Sequence, residues 1–338
     1  MANTGLNQAA MERCRQQLAM LAVPPGSLGR LESYAVRLAG IRGRVGGRLR
    51  NKAVLVFAAD SGCEAPEESG PLATARRCER IGAGQAAVSA LAGTVGARVC
   101  VYDIGIRERA VSGEVRDWNI VRGSREIGRG PAMTRTEFDA AFAAGRNAVA
   151  ENGTCDVFGI GAIGDGNAAA AAAVAAVLLG MPPEETVGDA WSSREEREAM
   201  AETVRQAVEV NRPDPADARE VVTRIGGLDL AAMAGAYLEC TKRRRPAVID
   251  GGISACAALV ACRLRPQAAD FLFASQQSTE PYFGTIMNEI GLVPPLSLDM
   301  HIGEGSACPF MFDILDGALA VVEETALLEA PDSDESGE

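Results

Sequence analysis

The chain has 338 residues, 47% of them hydrophobic, which is enough for one large domain or two ordinary ones and excludes a disordered chain. Its formal charge is −12; five of those charges sit in the last ten residues (Glu329, Asp332, Asp334, Glu335, Glu338), leaving −7 on the body. An acidic body offers no electrostatic footprint for nucleic acid or an anionic membrane, and a single histidine, His301, excludes multi-histidine metal sites and H-E-x-x-H.

In chain order, residues 11–18 and 31–38 read as two helices flanking the turn Pro24-Pro25-Gly26-Ser27-Leu28-Gly29. Met1 to Gln16 is polar and lacks an apolar signal core. From residue 46, short β-branched runs alternate with alanine-rich helical stretches. The strands are expected at 53–58, 98–103, 155–160, 247–250 and 270–274. The helices are expected around 74–93, 136–150, 167–180, 193–210, 228–241 and 253–264. The strands are continuous apolar runs, as in a parallel sheet buried on both faces, so the class is α/β with helices on both sides.

The longest apolar run, Ala168 to Leu179, is alanine-dominated and too short to span a bilayer. The nine cysteines include no C-x-x-C pair and mostly have small, apolar neighbours, as in Val99-Cys100-Val101. Buried free thiols in a cytoplasmic protein are therefore expected. Residues 310–330 read as helix and are expected to pack with 1–45 as a small helical domain, beside an α/β domain at 46–309. The acidic tail at 331–338 is expected to be disordered.

Several strands lead into a small or acidic residue with a glycine or tight turn: Asp60-Ser61-Gly62, Asp103-Ile104-Gly105, Gly159-Ile160-Gly161 and Asp250-Gly251-Gly252. At the carboxyl edge of a parallel sheet such turns collect around a ligand pocket. Gly159-Ile160-Gly161-Ala162-Ile163-Gly164 fits G-x-G-x-x-G, but the acid expected about twenty residues on falls near Met181-Pro182-Pro183-Glu184-Glu185, away from any strand end. A phosphate held at a helix N-terminus is the safer reading than a dinucleotide. Asp165 argues against even that, since a carboxylate about 5 Å from a phosphate repels it by on the order of 5 kcal/mol at a surface-like dielectric. Further on, Glu304 stands between Gly303 and Gly305, where a carboxylate can meet a ligand with little obstruction. A general base and a solvated turn glutamate both remain open on the residues alone.

The order of these motifs resembles the nicotinate-nucleotide–dimethylbenzimidazole phosphoribosyltransferases of cobamide lower-loop assembly. The resemblance runs from Pro25-Gly26-Ser27-Leu28-Gly29-Arg30-Leu31-Glu32 to Glu324. It is carried by that run, Ala59-Asp60-Ser61-Gly62, Asp103-Ile104-Gly105, Gly161 to Asn167, Asp250-Gly251, Ser278-Thr279-Glu280-Pro281 and Gly303-Glu304-Gly305-Ser306. It implies a doubly wound parallel sheet, a small helical domain from both chain ends, and a dimer. It implies transfer of phosphoribose from nicotinate mononucleotide to an aromatic base, with no metal or cofactor because the leaving group departs neutral. Glu304 matches the family's catalytic glutamate. Gly161, Gly164, Asp165, Gly166, Asn167, Gly303 and Gly305 are implied at the donor and its phosphate. Asp60, Ser61, Met300 and Ile302 are implied at the acceptor.

Departures accompany the matches. The family's G-E-M-G-I-G-N loop has Ala162 for its glutamate and gains Asp165, and V-G-x-G-T-G reads Val187-Gly188-Asp189-Ala190-Trp191-Ser192. A basic residue further along falls at Ala201, and three family histidines become Ser61, Gln276 and Phe283. Two readings follow. The chain is a diverged subunit paired with a homologous chain, or a self-sufficient homodimeric transferase with altered acceptor choice, such as a phenol. A non-catalytic structural partner and a nicotinamide-linked oxidoreductase are the readings of another class.

Overall fold

Six parallel strands form one sheet in the computed structural model, which describes residues 5–63, 73–108, 110, 113–188 and 193–328. They are β1 (Lys52–Ala59), β2 (Ala97–Gly105), β3 (Val115–Asp117), β4 (Val157–Ile163), β5 (Ala247–Ile249) and β6 (Leu272–Ala274). Their order is β3-β2-β1-β4-β5-β6. The chain winds outward from β1 through β2 to β3, then returns to the other side of β1 and continues through β4 to β6. In such a doubly wound sheet the loops after the two central strands diverge and open a crevice at their carboxyl ends. Here that crevice lies between β1 and β4.

The period of two along β1 explains the two-sided burial. Ala53, Leu55, Phe57 and Ala59 enter one apolar cluster, while Val54, Val56 and Ala58 enter another, and all are fully buried. The first cluster is covered by α5 (Arg135–Glu151), α6 (Asn167–Leu179), α8 (Arg194–Asn211), α9 (Ala218–Ile225), α10 (Leu228–Arg243), α11 (Gly252–Leu264) and α12 (Phe283–Ile290). The second is covered by α2 (Arg30–Arg42), α3 (Ala73–Gly82), α4 (Ala87–Thr94) and α13 (Cys308–Glu324). A four-residue helix, α7 (Pro183–Thr186), precedes α8.

The two chain ends pack together. Ala10 and Cys14 of α1 (Gln8–Ala19) meet Ala35 and Ala39 of α2 and Ala318 and Val322 of α13. Leu38 of α2 and Leu315 of α13 also share the sheet's second cluster, so these helices are continuous with the sheet's cover. All nine cysteines are buried and unpaired, as their small apolar neighbours suggested. No helix among the described residues is long and apolar enough to cross a membrane.

Some expectations need correction. The helix expected over 74–93 is two helices, because the chain turns at Gly84 with φ +74°. Strand β3 escaped notice because it is three residues long, two of them charged, at the sheet edge. The run at 270–274 begins as a 3₁₀ helix (Pro266–Phe271) and becomes strand only at Leu272. Strands β2 and β4 run through Gly105 and Gly161, so Asp103-Ile104-Gly105 and Gly159-Ile160-Gly161 are strand rather than turn. The acidic tail at 331–338 lies outside the described residues.

Candidate active site

Asp250, just beyond β5, anchors the loop that carries Glu304. Its carboxylate accepts the backbone N–H of Gly305 (2.9 Å) and of Ala307 (2.8 Å). Burial pushes this carboxyl up to about 6, and the two N–H donors pull it the other way. The loop they hold is unusual. Gly303, Glu304 and Gly305 follow one another at φ +70°, +61° and +83°. The left-handed region costs a residue with a side chain roughly 1–2 kcal/mol, so Glu304 keeps it only because its surroundings fix it.

The sheet supplies much of that fixation. A Cβ on Gly161 would lie 2.2 Å from the Gly305 nitrogen, and one on Gly305 would lie 2.4 Å from Val54 Cγ1. The missing side chains of β4 and the loop therefore let two backbones touch. Glu304 itself is buried, and its Oε1 accepts from Arg77 Nη2 (2.8 Å) and Nε (3.3 Å) on α3.

A cleft opens beside this carboxylate, with Met300, His301, Ile302 and Gly303 along one wall and Gln276, Ser278 and Glu280 along another. Gln276 donates its amide to the Met300 carbonyl (2.9 Å), which fixes its orientation. Its Oε1 and the Ser306 hydroxyl are buried with no hydrogen-bond partner. Both belong to residues lining the cleft, and buried polar atoms left without a partner are uncommon. No group of His, Cys, Asp and Glu suited to a metal ion occurs among the described residues.

The other expected site residues gather in the crevice between β1 and β4. Asp60, buried at the end of β1, accepts from the Thr74 hydroxyl (2.6 Å), the Asp165 N–H (3.0 Å) and the Arg107 N–H (2.8 Å). It ties four segments together. Ser61 donates its N–H to the Asp165 carbonyl (2.8 Å), and its hydroxyl is buried without a partner. A Cβ on Gly164 would stand 1.7 Å from the Ala59 carbonyl oxygen, so the β4 end presses against the β1 end. Gly166 takes φ +73° ahead of Asn167, whose amide donates to Asp229 (3.3 Å). Met300 and Ile302 thus line the Glu304 cleft, whereas Asp60 and Ser61 do not; the single acceptor pocket expected from the sequence is divided between two places.

Ala201 faces a further cleft with Val187, Thr279, Pro281, Arg197 and three glutamates, Glu184, Glu185 and Glu198. The loop at 278–281 separates the two clefts, with Ser278 and Glu280 lining one and Thr279 and Pro281 the other. Of the expected V-G-x-G-T-G stretch, positions 189–192 lie outside the described residues.

Sequence reasoning missed Arg77, which sits far from Glu304 in the chain and carries no local signature. It also missed Asp229, fully buried at the start of α10. Burial pushes the Asp229 carboxyl up to about 7; bonds from the Leu230 N–H and Asn167 oppose this, and the Asp60 charge adds to it. Cys63 and Cys256 are also within its electrostatic reach. An unfolded aspartate titrates near 3.9, so the folded chain holds a proton that the unfolded chain has released, and this stabilisation is lost as pH rises through about 7. Asp229→Asn should therefore melt above the wild type near pH 8, with the gap narrowing below pH 7 and closing by about pH 4. A gap independent of pH in thermal melts would mean that the buried charge is not its source.

A phosphoribosyltransferase family model matches residues 4–331 of the chain. The nicotinate-nucleotide–dimethylbenzimidazole phosphoribosyltransferase of Desulforudis audaxviator is 38% identical over 330 residues, covering 95% of this chain and 93% of that one. The Photorhabdus laumondii protein of the same name is 37% identical over 328 residues, covering 96% and 94%. The crystal structure of the Thermus thermophilus enzyme of that name superposes with a TM-score of 0.87 at 32% identity, covering 95% of this chain and 97% of that one.

Proposed function

The chain belongs to the nicotinate-nucleotide–dimethylbenzimidazole phosphoribosyltransferase family, and from that premise we propose that it transfers phosphoribose from nicotinate mononucleotide to an aromatic lower-ligand base, with Glu304 as general base. The acceptor, dimethylbenzimidazole or a phenol, attacks the anomeric carbon. The bond to the pyridinium nitrogen breaks, its electron pair stays on that nitrogen, and nicotinate leaves neutral at the ring. The acceptor's proton passes to Glu304. No acid is needed for the leaving group, so the chemistry reduces to positioning and general-base catalysis.

The observation that carries this reading is the buried Glu304 carboxylate, held in a left-handed backbone at the mouth of a cleft with unpaired polar atoms. Met300 and Ile302 supply apolar surface for a flat ring, Gly303 keeps the approach open, and Gly305 lets the loop pack onto Val54. For the donor phosphate we propose the crevice residues Gly164, Asp165, Gly166 and Asn167, where α6 presents its N-terminus. Gly161 supports the Glu304 loop. Asp60 and Ser61 shape the crevice rather than the acceptor wall. The test is nicotinate release with each acceptor.

A second reading has its own observation. The donor end is acidic, with Asp165 in the loop and three glutamates around Ala201. This favours a chain that works in a dimer with a homologous, more basic chain over a self-sufficient homodimer. The isolated chain should bind nicotinate mononucleotide weakly, and the double change Asp165→Ile with Ala201→Lys should tighten binding at least tenfold, about 1.4 kcal/mol. Calorimetry decides this; micromolar affinity of the unchanged chain would return the choice to the homodimer.

A further inference from the structure

The strongest contact that the proposed chemistry does not yet use is the one made by Arg77. Its Nη2 and Nε both reach the same oxygen of Glu304, at 2.8 and 3.3 Å. Among the described residues, both hydrogen bonds to the Glu304 side chain end on Oε1 and none ends on Oε2. Two further carboxylates, Asp250 and Glu280, line the same cleft, and the charges of Glu280 and Glu304 both act on Asp250. A flexible carboxylate set among like charges is held in line when a cation stands beside it.

We propose that Arg77 is a positioning residue for this reaction: it clamps Glu304 through Oε1, balances the surrounding carboxylates, and presents Oε2 to the acceptor's proton. The role rests on the reading of Glu304 as the base. It has a structural rationale in where the two residues stand. Glu304 is held at the backbone by Asp250 and Gly161 but has a flexible side chain, and α3 delivers the guanidinium from the opposite side of the loop. Two N–H donors converging on one oxygen fix the carboxylate plane better than one would. The Arg77 side chain is 40% exposed and that of Glu304 only 8%, so the cation reaches solvent while the carboxylate it holds stays buried.

The test uses Arg77→Met, Arg77→Lys, Glu304→Gln and the double variant Arg77→Met/Glu304→Gln in whichever assembly of the wild type releases nicotinate. A positioning role predicts that Arg77→Met lowers kcat by about tenfold or more with the acceptor KM little changed. Added guanidinium ion should restore part of that rate, and Arg77→Lys should retain part of it. The double variant should be hardly slower than Glu304→Gln, because the side chain that Arg77 holds can then no longer take the proton. Unfolding midpoints of the same four proteins read the ion pair without turnover and should be non-additive. An active wild type whose Arg77→Met variant turns over normally, or a loss that adds fully to that of Glu304→Gln, overturns the role. A wild type that releases no nicotinate, alone or with a homologous chain, overturns the transferase reading and this role with it.

Discussion

Glu304→Gln is expected to lower nicotinate release by about 10²–10⁴, or about 3–5 kcal/mol, while the melting temperature stays near that of the wild type. The amide keeps the shape of the side chain and can still accept from Arg77 through its carbonyl oxygen. What it loses is the ability to take a proton. The backbone of the loop does not depend on the carboxylate, because Asp250 and the packing at Gly161 hold it independently. Steady-state rates with saturating acceptor check the prediction. Unchanged turnover would place the base elsewhere, most simply on a partner chain.

Gly161→Ala should be nearly as damaging to turnover, by a different route. Its added methyl would begin 2.2 Å from the Gly305 nitrogen and 2.7 Å from the Glu304 carbonyl carbon, both backbone atoms that cannot swing aside. Relief requires the loop to retreat by roughly 1 Å, and a displacement of that size at a reacting group costs about 10²-fold in rate. Overpacking should also destabilise the fold by about 1–3 kcal/mol. Gly284→Ala is the control. That glycine lies in α12 with nothing within 4 Å of a new Cβ, so activity should persist and stability should rise slightly. If Gly161→Ala melts lower but turns over normally, the packing does not position Glu304.

These two residues also mark how far the sequence could be read. Glu304 was legible because two flanking glycines set a lone carboxylate apart, and its resemblance to the family's glutamate gave it a role. The glycines of 159–166 were legible as places of close approach, but protein groups make those approaches: the Cys308 side chain at Gly159, the backbone of the Glu304–Gly305 loop at Gly161 and the β1 end at Gly164. Nothing in a one-dimensional pattern distinguishes a backbone neighbour from a phosphate. The long strands β1, β2 and β4 announced themselves because burial on both faces demands unbroken apolar runs. The short helix α12, with its glycine and β-branched residues, carries weak local preference and is held by the core through Phe283, Ile286 and Ile290. Arg77 was invisible for a simpler reason: its meaning lies in a contact made across 227 positions of chain.

The central claim is tested most directly by product analysis. The purified wild-type chain, alone and mixed with a homologous chain, is incubated with nicotinate mononucleotide and dimethylbenzimidazole, phenol or p-cresol, and both nicotinate and the ribotide are quantified. Nicotinate should appear in equal amount with an α-linked ribotide of at least one acceptor, and only when that acceptor is present. Absence of both products with every acceptor in both assemblies, or nicotinate released without any ribotide, would contradict it.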